Sequence, residues 1–268
     1  MKIYELKIKT FLLQDVEKKD VQKELAHLIN NFLTEKEEFK KLHESKEFKP
    51  YCFDNLMPFE KVYKKNTMYT FRIRTIDEEL LQYFLYDFER YRNSYFQNLT
   101  MDVKEIKPKL IRKIYSLAPV VMQTPDGYWR NHWTEEEYMK YLEENLHNKS
   151  KQFLNKEILN DNLLKEYEFQ NEYPISRTMK DITFLGDKLD IEIGMDAESQ
   201  ELAQLAVGCG LGQINSYGNG FVNYKYYGSD KWYVKRHTGN ICKNTKGRFN
   251  KLSKCYWYEC YFICHRWK

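Results

Sequence analysis

The sequence predicts an α+β fold made of a βαββαβ unit used twice. Three observations carry that expectation. Stretches with period-two alternation interleave with stripes of helical spacing, the same order of elements begins again near Ile106, and the two rounds are of similar length.

The elements follow in order. "KIYELKIKTFLL" alternates polar and apolar residues and reads as a half-buried strand, and "VQKELAHLINNFL" places Val21, Leu25, Leu28 and Phe32 at helical spacing. A charged stretch, "TEKEEFKKLHESKEFKP", leads into "YCFDNLMPF", where Pro50 and Pro58 favour extended or turn backbone. In "MYTFRIRTI", Tyr69, Phe71, Ile73 and Thr75 alternate with Arg72 and Arg74, the pattern of a strand. "DEELLQYFLYDFERYRNSYF" reads as a helix capped by Asp77, with Leu81, Phe84, Leu85 and Phe88 as its apolar stripe. In the second round, "KLIRKIYSLAPVVM" is strand-like, "DGYW" is a turn, and Thr134 with Glu137 forms a capping-box signature before "EEEYMKYLEENL". "SKQFLNKEILNDNLLKEY" is expected to continue as helix. "PISRTMKDITFLGDKLDIEIGM" reads as extended chain turning at Gly186 and Asp187, "SQELAQLAVGCG" as a helix ended by glycine, and "GFVNYKYY" as a last strand. The expected boundaries are residues 1–105, 106–227 and a basic extension, 228–268.

Composition narrows the function classes. Aromatic residues reach 16%, including 22 tyrosines, so a mean hydropathy of −0.75 does not signify disorder. The formal charge is only +4, but Lys225 to Lys268 holds eleven Lys or Arg against Asp230 and Glu259. The chain before it is therefore acidic overall, and any nucleic-acid footprint there must be a local patch. Neither a signal-peptide core nor an apolar run of membrane-spanning length is visible, which points to the cytoplasm and away from membranes. In that reducing compartment Cys242, Cys255, Cys260 and Cys264 would be thiols or ligands, and their spacing has no C-x2-C pair. No metal or cofactor is expected.

The segment "GCGLGQINSYGNGFV" carries Gly208, Gly210, Gly212, Gly218 and Gly220 between a helix and a strand. Such backbone adopts positive φ cheaply, and exposed amides in it could hold phosphate. It is not a Walker A motif, and a dinucleotide fingerprint would run from strand to helix. On its physics alone it reads equally as a tight structural connection or as an anion-binding loop.

Gly210-Leu211-Gly212 followed by Gly218-Asn219-Gly220-Phe221-Val222 resembles the C-terminal glycine-rich loop of the Cas6 endoribonucleases, in the RAMP superfamily. "LHESKEFKPYCFDNLMPF", "YTFRIRTIDEELLQYF" and "IRKIYSLAPVVMQTPDGYW" resemble other pieces of that family, in the same order. The likeness spans about residues 1–224. It implies two tandem ferredoxin-like domains that bind CRISPR repeat RNA between them. The implied activity is one metal-independent cut per repeat, leaving a 5′-hydroxyl and a 2′,3′-cyclic phosphate. The alternative is a catalytically inactive RNA-binding module or a structural subunit of a CRISPR effector complex; monomer and homodimer both remain open.

Cleavage of that kind needs a proton carrier at the ribose 2′-hydroxyl and positive charge at the phosphorane. By its place in "KLHESKEFKPY", the resemblance assigns the proton work to His43 and the charge to Lys46 or Lys49, with His27 as the catalytic imidazole if the register differs. The tyrosine that many members carry on the first helix is missing, since none lies between Tyr4 and Tyr51. Asn30 or Asn31 could donate a hydrogen bond there but could not carry a proton. Candidates for gripping RNA are Arg72 and Arg74 on one face of their strand, and Lys104, Lys107, Lys109, Arg112 and Lys113. In the loop they are Gly210, Gly212, Gln213, Asn215, Ser216, Gly218 and Gly220. Gln213 stands where the family often has a basic residue. Arg177 and Lys180 are weaker candidates. The aromatic, basic tail reads as an RNA clamp, a small packed appendage or disordered read-through sequence.

Overall fold

The structure is a computed structural model, and it describes residues 1–158, 166–179 and 182–228. Residues 229–268 of the basic extension with its cysteines, Lys180, and residues 159–165 of the long helix expected after Glu135 lie outside the described residues; Glu166 and Tyr167, expected to end that helix, are strand instead.

The N-terminal strand β1 (Tyr4–Leu12) leads to helix α1 (Val21–Thr34), a short helix α2 (Glu37–Glu44), strands β2 (Tyr51–Phe53) and β3 (Met68–Thr75), helix α3 (Glu78–Asp87) and strand β4 (Phe96–Glu105). The sheet is antiparallel in the order β2-β3-β1-β4. Period-two alternation sends Leu6, Ile8, Phe71 and Ile73 to one face, where Leu25, Leu28, Ile29 and Phe32 of α1 and Phe84 of α3 cover them. Phe32 sits at the centre, 4.6 Å from the Tyr83 ring and 4.9 Å from the Phe88 ring. Burying each such ring contributes roughly 1.5–3 kcal/mol.

The second round repeats this plan. It comprises β5 (Ile111–Ser116), β6 (Val120–Val121), α4 (Glu135–Leu154), β7 (Glu166–Phe169), β8 (Ile175–Met179), β9 (Ile182–Asp187), β10 (Leu189–Glu192), α5 (Ala197–Cys209) and β11 (Val222–Tyr226). Its main sheet runs β11-β5-β10-β7, again with last and first strands adjacent, and β8, β9 and β6 form a smaller antiparallel sheet. Ile114, Leu142, Leu146, Leu189, Ile191, Leu202, Ala206 and Val222 make a second core separate from the first. The chain is thus an α+β protein with two ferredoxin-like units in tandem. No helix of the described residues is long and apolar enough to cross a membrane.

The caps act as the sequence implies. Asp77 accepts from Leu80 N, and the Thr134–Glu137 capping box is complete. Some boundaries differ. Helix α3 stops at Asp87, because after one 3-10 turn the Asn93 side chain accepts from Tyr95 N and Phe96 N and launches β4. Its buried stripe is Leu80, Leu81, Phe84 and Phe88, and Leu85 is exposed. Helix α4 ends at Leu154, where Asn155 turns left-handed at φ 51°. Gly186 lies within β9, where a Cβ would strike the Val120 carbonyl of the paired strand, so the chain bends only after Asp187. The charged stretch forms α2, with Phe39 alone of its residues buried.

Candidate functional site

The glycine segment joins α5 to β11 and is nearly all buried. Gly210 ends α5, Leu211 N donates to Gly220 O at 2.8 Å, and Gln213 N donates to Val121 O at 2.8 Å. Gly220 N donates to Pro119 O at 2.7 Å and Gly218 N to Asn215 O at 3.0 Å. Asn215 donates from Nδ2 to Leu211 O and to Asn219 O, both at 3.0 Å, so its side chain ties the loop to itself. This corrects the expectation of open amides at Gly210, Gly218 and Gly220 and of an RNA-facing Asn215 amide. These donors are already used, since a buried amide without a partner would cost more than the loop could recover. What the loop turns outward is its side chains at Gln213, Ile214 and Tyr217, with the buried Ser216 between them.

Glycine is required where the turn is tightest. Gly220 has φ +63°, and a methyl group there would overlap the Leu211 carbonyl oxygen. Gly220→Ala is expected to cost at least about 2 kcal/mol, read as a shift in the urea midpoint; an unchanged midpoint would show that the turn is not held this way.

Those outward side chains form one lip of a cleft of about 410 Å³, whose other lip is Lys46, Glu47, Phe48 and Lys49, with Gln123 between. The two segments are about 170 residues apart in sequence, yet each is held from below by α4. Gln152 clamps Phe48 through both backbone groups, accepting from its N at 3.1 Å and donating to its O at 2.9 Å. Lys149, 1% exposed, donates from Nζ to Gly210 O, Gly212 O and Asn215 Oδ1, each at 2.7 Å.

Of the catalytic candidates, Lys46 and Lys49 line this cleft, whereas His43 and His27 are not among its lining residues. His43 is half-buried on the last turn of α2, three residues before Lys46. Lys46 is exposed on the lip. Lys49 donates from Nζ to Leu42 O, to Ser45 O at 2.8 Å and to Ser45 Oγ at 2.9 Å, closing the C-terminus of the helix that carries His43. Burial lowers the Lys49 pKa below the ordinary lysine value. His27 lies on α1 with Nδ1 3.4 Å from Glu24 and its side chain 41% exposed. Asn30 accepts from Tyr51 OH at 3.3 Å, and Tyr51, fully buried, also bonds the Ser216 side chain.

Gln213 accepts at Oε1 from Gln123 N at 2.9 Å, which braces it against the strand-end segment beside it. Gly212 contributes its carbonyl to Lys149.

The arginine strand has a different role from the one its pattern suggests. Arg72 and Arg74 do share a face, but that face is the seam between the two sheets. Arg74, 1% exposed, donates from Nε to Glu5 at 2.8 Å and from Nη1 to Val222 O of β11 at 2.6 Å, and its guanidinium stacks on the Phe221 ring at 4.4 Å. It therefore cannot meet phosphate. Arg72 is mostly covered too, with Nε donating to Asp54 at 2.6 Å. Burial pushes the Glu5 carboxyl up, but Arg74 and Lys104 around it win and its pKa lies below the ordinary value.

Of the other basic candidates, Lys113 pairs with Asp190 at 2.7 Å and is largely covered. Arg112 is half-buried on β5. Lys104 is exposed but bound to Glu5 at 2.9 Å. Lys107 and Lys109 are exposed, the latter over the Tyr226 ring at 5.6 Å. None of this group lines the cleft between the two lips.

The sequence reading overlooked Lys149 and Gln152. The signal was present: Lys149 continues the buried stripe of Met139, Leu142 and Leu146, a position where an amine needs internal acceptors.

Residues 101–224 match the family model described as CRISPR associated protein Cas6, C-terminal. No curated protein matches the chain. Among solved structures, one described as an RAMP protein binding different RNA substrates is 14% identical, with TM-score 0.63, over 83% of this chain and 99% of that one. A Cas6-related protein from Pyrococcus furiosus is 17% identical, with TM-score 0.61, over 83% and 98%. A Cas6 product complex is 17% identical, with TM-score 0.58, over 84% and 100%. Such identities speak for the fold alone, and residues 101–224, which include the glycine loop, are similar to the C-terminal part of Cas6.

Proposed function

We propose that the chain is an endoribonuclease that cleaves CRISPR repeat RNA by attack of a ribose 2′-hydroxyl on the adjacent phosphate. One observation carries this reading: the segment after His43 and the glycine loop, remote in sequence, face each other across a single cleft. The solved relatives described as an RAMP protein with RNA substrates and as a Cas6 product complex support an RNA ligand for this fold.

The roles divide among the residues of the cleft and the turn before it. An imidazole such as that of His43 can take the 2′-hydroxyl proton or protonate the departing 5′-oxygen. Lys49 spends its donors on the end of α2, so it positions the turn that bears His43. That leaves Lys46, exposed on the lip, as the cation for the phosphate. Gln213 and Tyr217 offer neutral donors on the opposite lip.

The test is incubation of the protein with RNA carrying the repeat of its own CRISPR array, in EDTA. Cleavage at one position with 2′,3′-cyclic phosphate and 5′-hydroxyl ends is expected. Tight binding with the RNA unchanged would overturn the enzyme reading and favour the inactive binding module, which the missing first-helix tyrosine also suits. A second expected outcome concerns Lys46→Ala. It should lower the slope of log affinity against log salt by about 0.7–0.9, one phosphate contact's worth. An unchanged slope would remove Lys46 from the phosphate.

A further inference from the structure

We propose that Lys149 and Gln152, one turn apart on α4, are positioning residues that mount both lips of the cleft and fix the gap across which the RNA backbone is held. This rests on the cleft being the RNA site, as proposed above.

Neither residue needs to touch RNA to do this. Gln152 forms two bonds to the backbone of Phe48, so the lip carrying Lys46 and Lys49 follows α4. Lys149 reaches the other lip from beneath. Three acceptors at 2.7 Å require three N–H donors, and only the protonated amine has three. Lys149 is therefore a buried ammonium whose partners in the loop are all neutral oxygens, with the Phe48 ring 5.5 Å from Nζ. Burial lowers its pKa from the ordinary lysine value.

The hydrogen bonds on the far sides complete the mount. The peptide that gives its carbonyl from Gly210 donates through Leu211 N to Gly220 O, and the one from Gly212 donates through Gln213 N to Val121 O. Each of these two peptides is held at both ends, so removing the ammonium frees one end of each. The loop has no basic side chain of its own, and the Lys149 charge below it is the fixed cation nearest its backbone.

The experiment uses the full chain, with Lys149→Met, which keeps length and removes the charge, and Gln152→Ala, an exposed position whose loss leaves the core intact. The first readout is hydrogen–deuterium exchange of the segments 46–50 and 209–221. Lys149→Met should raise exchange at least tenfold in 209–221, and Gln152→Ala should raise it in 46–50, with the β1–β3 sheet unchanged in both. The second readout is single-turnover cleavage of the repeat RNA, well below the melting temperature. A rate reduced at least tenfold in Lys149→Met, with the salt slope of binding unchanged, is the signature of positioning without phosphate contact. Wild-type exchange in both segments, whatever the change in melting temperature, would overturn the proposal. So would a lower salt slope in Lys149→Met, which would mean direct phosphate contact. If Lys149→Met does not fold, exchange in Gln152→Ala decides. If the wild type neither binds nor cleaves the RNA, the functional reading fails, while the exchange result still decides whether α4 mounts the two lips.

Discussion

His43→Ala should slow cleavage of repeat RNA by about 10²–10⁴-fold, the range that a positioned proton carrier contributes, while the dissociation constant changes less than about threefold. The asymmetry follows from where His43 sits. It occupies the final turn of α2, a helix whose end is fastened by Lys49 and whose only buried residue is Phe39. Removing the imidazole therefore empties no core. Single-turnover rates at saturating protein, with affinity measured in parallel, separate the two quantities. Full activity in His43→Ala with loss in His27→Ala would move the chemistry to α1. That outcome would be surprising for a side chain that lies beside Glu24 at 3.4 Å.

The second large effect concerns stability rather than catalysis. Arg74→Met is expected to destabilise the protein by about 3–5 kcal/mol, the cost of removing one partner from a buried ion pair. Glu5, 4% exposed, would lose its 2.8 Å partner, and the Val222 carbonyl its 2.6 Å donor. Both losses fall on the seam where β3 of the first sheet meets β11 of the second, so the two halves should also lose their joint cooperativity. The comparison is urea unfolding of Arg74→Met against Lys107→Ala, an exposed basic residue outside this network. A difference under about 1 kcal/mol would show that the pair contributes little.

Much of the fold was legible in the residues because its signals are local. Leu6 and Ile8, or Phe71 and Ile73, alternate cleanly, Asp77 and Thr134 cap as their spacing implies, and Gly210 ends α5. Helix ends were less so. The stop at Leu154 depends on a left-handed Asn155, and that of α3 on a turn made by Asn93, both ordinary polar residues in the sequence. The site was legible in part. The lip 46–49 and the loop residues Gln213 and Ser216 could be named from a motif. Which groups face outward could not, because that depends on partners far along the chain. Arg74 looks like a surface cation until β11 is placed against it. Asn215 looks like an RNA contact until Lys149 takes its oxygen. Charge in a sequence says little about exposure when a tandem fold creates a polar seam.

The most direct measurement is a crystal structure of the protein with repeat RNA made uncleavable by 2′-deoxy substitution at the cut site. The scissile phosphate should lie in the cleft between residues 46–49 and 213–217, within hydrogen-bond reach of Lys46, with the His43 imidazole beside the 2′ position. RNA ordered elsewhere on the protein, with that cleft left empty, would contradict the account.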